Sequence, residues 1–114
     1  MKRIIGVIKP NMLDDVIFAL HQIEDFPGAT MTDVQGMGLG FHRHVKDNSQ
    51  SPSFGYPAQV RIEIVCTDDM ADRIVATIEE NARTGKPDDG KIFISPVDGA
   101  VRISTGQRDI EALQ

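Results

Sequence analysis

The sequence predicts an α+β fold made of two similar βαβ halves joined by a long loop. Two amphipathic helices, each opened by a pair of aspartates, alternate with short apolar or alternating segments of the kind that form strands. This order predicts a ferredoxin-like βαββαβ sandwich with both helices on one face of the sheet. The apolar side chains of the other face need a cover, so we expect a homo-oligomer.

The first half is predicted to contain a strand, a helix and a second strand. Residues 4–8 form a short apolar run that predicts a buried strand. Pro10 ends it, and Asn11 is a candidate helix cap. Residues 29–35 alternate as a strand does. Between them, apolar residues recur at helical spacing, at Leu13, Val16, Ile17, Leu20 and Ile23.

The second half repeats this order. Residues 60–66 alternate clearly between apolar and other side chains, which predicts a strand. Thr67 is a candidate cap for the following helix. A fourth strand is predicted at 91–94, residues 100–103 continue extended, and the polar tail from 105 is expected to be loose. The helix has its apolar side chains at Ala71, Ile74, Val75, Ile78 and Ala82.

Length and composition bound the class of protein. With 114 residues, 40% hydrophobic and 25% charged, the chain is expected to be a single domain, 1–114. No apolar run reaches the roughly 18 residues of a membrane span, so no membrane insertion is expected. The lone Cys66 cannot form an internal disulfide, which favours the cytoplasm. A net charge of -5 argues against nucleic-acid binding.

The loop at residues 38–57 is too long to be a simple connection and is predicted to be functional. Its two histidines sit two residues apart and are weak candidates for a metal site, which without a third ligand is the less favoured interpretation. Its exposed aromatic and basic side chains suit a docking surface for a partner protein. The predicted docking residues are Phe41, His42, Arg43, His44, Phe54 and Tyr56.

The segment TGKPDDGKIFISP, residues 84–96, places a turn rich in glycine and lysine directly before a strand. Backbone N–H groups of such a turn can face an anion, and Lys86, Lys91 and Arg102 can add positive charge. In an acidic chain this predicts a site for a small phosphate-bearing ligand. The alternative is that Lys91 and Arg102 are plain surface residues paired with Asp88 or Asp89.

Several pieces of the chain together carry a family resemblance. They include Ile8-Lys9-Pro10, Thr84-Gly85-Lys86, Asp89-Gly90-Lys91-Ile92-Phe93 and Arg102-Ile103. With this set, the chain resembles the PII signal-transduction proteins over nearly its whole length.

The resemblance implies a homotrimer that binds an adenine nucleotide (ADP, AMP or ATP) between neighbouring subunits. It also implies a regulatory protein rather than an enzyme, whose long loop docks on a target enzyme or membrane transporter. The implied nucleotide-binding residues are Gly28, Thr30 and Val65 around the adenine, Gly36, Met37 and Gly38 at the loop base, and Asp89, Gly90, Lys91 and Arg102 at the phosphates.

Five positions depart from the family pattern. Gly40 replaces a glutamine, Gln59 a lysine and Ser104 an arginine, while Asp88 replaces a glycine and Pro52 the modifiable tyrosine. Because cations are lost and an anion is gained, we expect ADP or AMP to be favoured over ATP. The same changes weigh against Mg²⁺ and 2-oxoglutarate as ligands, and they exclude uridylylation at position 52. The alternatives are a metal-binding trimer that uses His42 and His44, or a slow nucleotide hydrolase.

Overall fold

The computed structural model describes residues 1–37 and 56–114. The four strands form one antiparallel sheet in the order β2-β3-β1-β4, which confirms the ferredoxin-like α+β prediction. The elements are β1 (Lys2–Ile8), α1 (Leu13–His21), β2 (Thr30–Gln35), β3 (Ala58–Cys66), α2 (Asp68–Ala82) and β4 (Gly90–Pro96).

The core lies between the sheet and the two helices. Every second residue of β1 and β3 is buried, and the register pairs Ile4 with Ile64 and Ile8 with Val60 on the same face. Both helices bury a stripe spaced by three or four residues against this face. Burial also raises the pKa of the Cys66 thiol, which packs here as a small hydrophobe. The fully buried side chains include Ile4, Ile8, Val16, Leu20, Ile62, Ile64, Ile74 and Ile78.

The other face of the sheet is half-exposed and mixed in character. Ile5 lies between Glu63 on β3 and Phe93 on β4, and the Phe93 side chain is 56% exposed. Arg3 approaches Glu63 at 3.6 Å across this face. Apolar side chains left this accessible indicate a surface that a further layer can cover.

Both helix caps differ from the sequence-based expectation. Asn11 lies inside a short 3₁₀ turn, Pro10–Met12, so Met12 occupies the cap position of α1 and makes no side-chain cap bond. Thr67 does precede α2 but makes no cap bond either. Asp68 instead lies 3.0 Å from the Met1 amino group, whose hydrogen bond holds the pKa of that carboxyl below its usual range.

The end of the chain is more ordered than the predicted loose tail. Val101 forms an antiparallel bridge with Arg108, and a 3₁₀ helix follows at Asp109–Leu113. The Asp109 amide donates to the Ala100 carbonyl at 2.8 Å. Residues 100–109 therefore fold back on themselves as a hairpin rather than continuing as an extended strand. Within the described residues, no helix is long and apolar enough to cross a membrane.

Candidate functional site

The loop base and three of the phosphate candidates, Asp89, Gly90 and Lys91, lie at the same end of the sheet. β1 leaves the sheet at Ile8, directly beside the first residue of β4, Gly90. β2 ends at Gln35, which pairs with Ala58 at the start of β3, and Ile8 pairs with the nearby Val60. The end of β1, the turn before β4 and the base of the long loop therefore lie at one end of the sheet.

Asp89 organises the turn that precedes β4. Its carboxylate accepts hydrogen bonds from the Thr84 amide at 2.7 Å and the Gly85 amide at 2.9 Å, and from the Thr84 hydroxyl. These bonds, led by that of Thr84, hold the pKa of Asp89 far below its usual range. The sequence predicted that amides of this turn face a bound anion; those of Thr84 and Gly85 face the chain's own carboxylate instead.

Lys9 closes this turn from the β1 side, a role that the sequence analysis missed. Its Nζ lies 3.0 Å from Asp88 Oδ1 and 3.2 Å from Asp89 Oδ1, and it donates to Thr84 Oγ1 at 3.3 Å. The hydrogen bond with Asp88 raises the pKa of Lys9 and lowers that of Asp88. The sequence did contain a hint of this role. Lys9 directly follows a predicted buried strand, and an aspartate pair precedes another predicted strand.

Gly90 lets β4 approach β1 closely. Its φ is 115°, a conformation that other residues rarely adopt. A Cβ at this position would overlap the carbonyl oxygen of Val7. The glycine is therefore required by the fold, whatever role its amide has toward a ligand.

A groove of about 340 Å³ lies between α2 and β4 next to this turn. Its lining combines apolar side chains such as those of Ile78 and Ile92 with charged residues. It is lined by Ile8, Val75, Ile78, Glu79, Ala82, Arg83, Asp89, Gly90, Lys91, Ile92 and Ile94.

Arg102 is held by the hairpin that follows β4. Its amide donates to Gln107 at 2.9 Å, and its carbonyl accepts from the Gly106 amide at 2.8 Å. The Nε of its guanidinium is buried and has no hydrogen-bond partner among residues 1–37 and 56–114. A buried donor left in this state is costly unless an acceptor reaches it.

The adenine candidates lie toward the opposite end of the sheet. Gly28, with φ 104°, and Thr30 stand at the start of β2, and Val65 is half-buried on β3 close to where β1 begins. Gly36 and Met37 instead follow the end of β2, and Met37 is 62% exposed.

The hairpin that carries Arg102 also leaves the sheet at the end opposite the turn before β4. β4 ends at Pro96, which pairs with Lys2, the first residue of β1. The two ends of the sheet are about 20 Å apart along the seven residues of β1, at roughly 3.3 Å per residue. The predicted residues thus fall into two groups, one toward each end of the sheet.

Comparison with known proteins decides the family. The family model "Nitrogen regulatory protein P-II" matches residues 1–107. This chain belongs to the P-II family. Its relatives include the nitrogen regulatory protein P-II of Klebsiella oxytoca, 41% identical over 113 residues, and that of Azospirillum brasilense, 35% identical. P-II 1 of Escherichia coli K12 is 40% identical. Each of these matches covers 99% of this chain and 100% of the relative.

P-II membership confirms the resemblance drawn from the motif pieces and makes this chain a member of a signal-transduction family.

Gly36 has a neighbour that the sequence did not predict: the Gln59 side chain occupies the space where a Cβ would stand. The Gly36 amide donates to the Pro57 carbonyl at 2.9 Å, which closes the base of the P-II loop.

Part of the predicted docking surface and metal site lies outside the described residues. This holds for Gly38 and for the loop side chains of Phe41, His42, Arg43, His44 and Phe54. Tyr56, where the described chain resumes, is 47% exposed. Across residues 1–37 and 56–114, no three His, Cys, Asp or Glu side chains are grouped as a metal site requires.

Proposed function

We propose that this P-II protein is a cytoplasmic homotrimer that binds an adenine nucleotide between neighbouring copies. Through the loop at 38–57 it controls a target enzyme or membrane transporter. The division of the candidate residues between the two ends of the sheet carries this proposal, because a neighbouring copy can bring the two groups together. No observation of the described residues favours the metal-binding or hydrolase alternatives.

The exposed apolar side chains support assembly. Ile103 is 99% exposed, and Phe93, Ile94 and Val101 are each at least half exposed. All four belong to β4 or to the hairpin after it; Phe93 lies on the open face of the sheet beside Ile5, and Ile94 on the face that carries the helices, beside Ile4. Apolar surface concentrated in this way is typical of an interface between copies.

One cation in each group of candidates supports an anionic ligand. Arg102 offers a buried Nε–H donor that has no partner among the described residues, and Lys91 lines the groove next to Gly90. A phosphate oxygen is the strong acceptor that a guanidinium prefers. A bound nucleotide can shift the conformation of the loop only to the extent that the nucleotide binds one loop conformation more tightly than another.

Calorimetric titration with AMP, ADP and ATP tests this proposal. Arg102→Ala should weaken the tightest of these nucleotides at least tenfold, since a charge-assisted hydrogen bond contributes about 1.5–3 kcal/mol. Arg108→Ala, an exposed arginine of the same hairpin, is the matched control and should leave binding unchanged. Absence of binding to all three nucleotides by the unmodified protein would refute the proposal.

A further inference from the structure

The ammonium group of Lys9 is fully occupied by the chain itself. An ammonium group has three N–H donors, and the three oxygens of Asp88, Asp89 and Thr84 lie 3.0–3.3 Å from Nζ. Asp89 also lines the groove, together with Ile8, the residue before Lys9. Lys9 is therefore a cation beside the proposed phosphate site that has no donor left for a ligand.

The two aspartates that hold Lys9 differ in what else they do. Asp89 is 19% exposed and braces the turn through the amides of Thr84 and Gly85. Asp88 is 75% exposed, and its carboxylate is directed at Lys9. The contact between Lys9 and Asp88 can therefore be lost while the turn keeps its structure. Loss of the Asp89 carboxylate would also remove the hydrogen bonds that hold the turn.

Resting on the proposed nucleotide site, we propose that Asp88 determines how many phosphates the site accepts. The Asp88 carboxylate pairs with the Lys9 ammonium group, so that Lys9 is not available to bind the ligand. While Asp88 holds Lys9, a longer polyphosphate gains no contact from this lysine and meets the carboxylate instead. The site then favours AMP over ATP. A neutral side chain at position 88 leaves Lys9 with one charged partner fewer, so that its ammonium group can turn to the additional phosphates of ATP.

The test is a double-mutant cycle on the ratio of ATP affinity to AMP affinity. Asp88→Asn should raise this ratio roughly fivefold, a modest value because the pair is exposed and screened. In Lys9→Gln/Asp88→Asn the gain should disappear, since the released donor is absent. Asp72→Asn removes the same charge from an exposed position on α2 and should leave the ratio as it is in the unmodified protein.

A second measurement avoids any change at Lys9. In ¹⁵N-lysine NMR spectra, the Lys9 Nζ signal of Asp88→Asn should shift on addition of ATP, while that of the unmodified protein should not. Three outcomes would overturn the inference: an unchanged ratio in Asp88→Asn, a gain that survives Lys9→Gln, or an unmoved Lys9 signal. If no nucleotide binds to any variant, the proposed function itself fails and this inference falls with it.

Discussion

Asp89 shows how one side chain can serve the fold at a place where the sequence suggested a ligand. The sequence located the turn, its charges and its neighbour Gly90, all of which follow from local composition. It could not reveal that the Asp89 carboxylate turns back to the amides of Thr84 and Gly85. The arrangement also involves Lys9, which directly follows β1 and meets the turn only in the folded chain.

The lowered pKa of Asp89 predicts a specific loss of stability in acid. A carboxyl with a folded-state pKa below its unfolded value, near 3.9, stabilises the fold above that value and loses this contribution as the pH falls toward the folded pKa. Asp89→Asn should therefore be less stable than the unmodified protein at pH 7, and the difference should narrow below about pH 5.

Denaturant unfolding followed by circular dichroism from pH 7 to pH 2.5 measures this effect. Asp72→Asn, on the exposed side of α2, should follow the unmodified protein throughout. A constant difference for Asp89→Asn across this range would show that the ionised carboxylate does not brace the turn.

At the scale of elements, the sequence predicted each strand and helix to within about three residues. Burial of one face gives the apolar residues a regular spacing in the sequence. The buried residues recur every two positions in β3 and every three or four positions in α2. The helix starts were less predictable. A 3₁₀ turn at Pro10–Met12 displaced the cap of α1, and an ion pair with the Met1 amino group replaced the expected bond at α2. Only the ion pair joins distant segments, since the 3₁₀ turn is closed locally by the Met12 amide, which donates to the Lys9 carbonyl.

The junction between the turn and β4 predicts a contrast between two glycines. Gly85, with φ 89°, has open space where a Cβ would stand, whereas at Gly90 a Cβ overlaps the backbone of β1. Gly85→Ala should cost about 1–2 kcal/mol for its conformation alone. Gly90→Ala should cost distinctly more, about 3 kcal/mol or above, because β1 and β4 must also separate.

Thermal or denaturant unfolding of the two variants gives this comparison directly. Equal losses for Gly85→Ala and Gly90→Ala would mean that β4 does not approach β1 as closely as described.

At the scale of the whole molecule, the sequence predicted a set of candidate site residues but not how one chain distributes them. The strand register, which arises only from the fold, places Lys91 beside the end of β1 and Thr30 toward the opposite end of the sheet. In the proposed assembly of three 12.5 kDa chains, one group from one copy would face the other group from the next copy. Sequence spacing alone does not reveal this division, because both groups belong to the same chain.

Mixed trimers test whether each proposed nucleotide site is shared between copies. Thr30→Glu alters the candidate residues toward one end of the sheet and Lys91→Ala those at the other end, so trimers of either variant alone should bind AMP poorly. After the two variants are unfolded and refolded together in equal amounts, about one quarter of the clefts should combine two unaltered sides and regain AMP binding. Titration that finds no regained binding in trimers of confirmed mixed composition would show that one copy supplies both groups of residues.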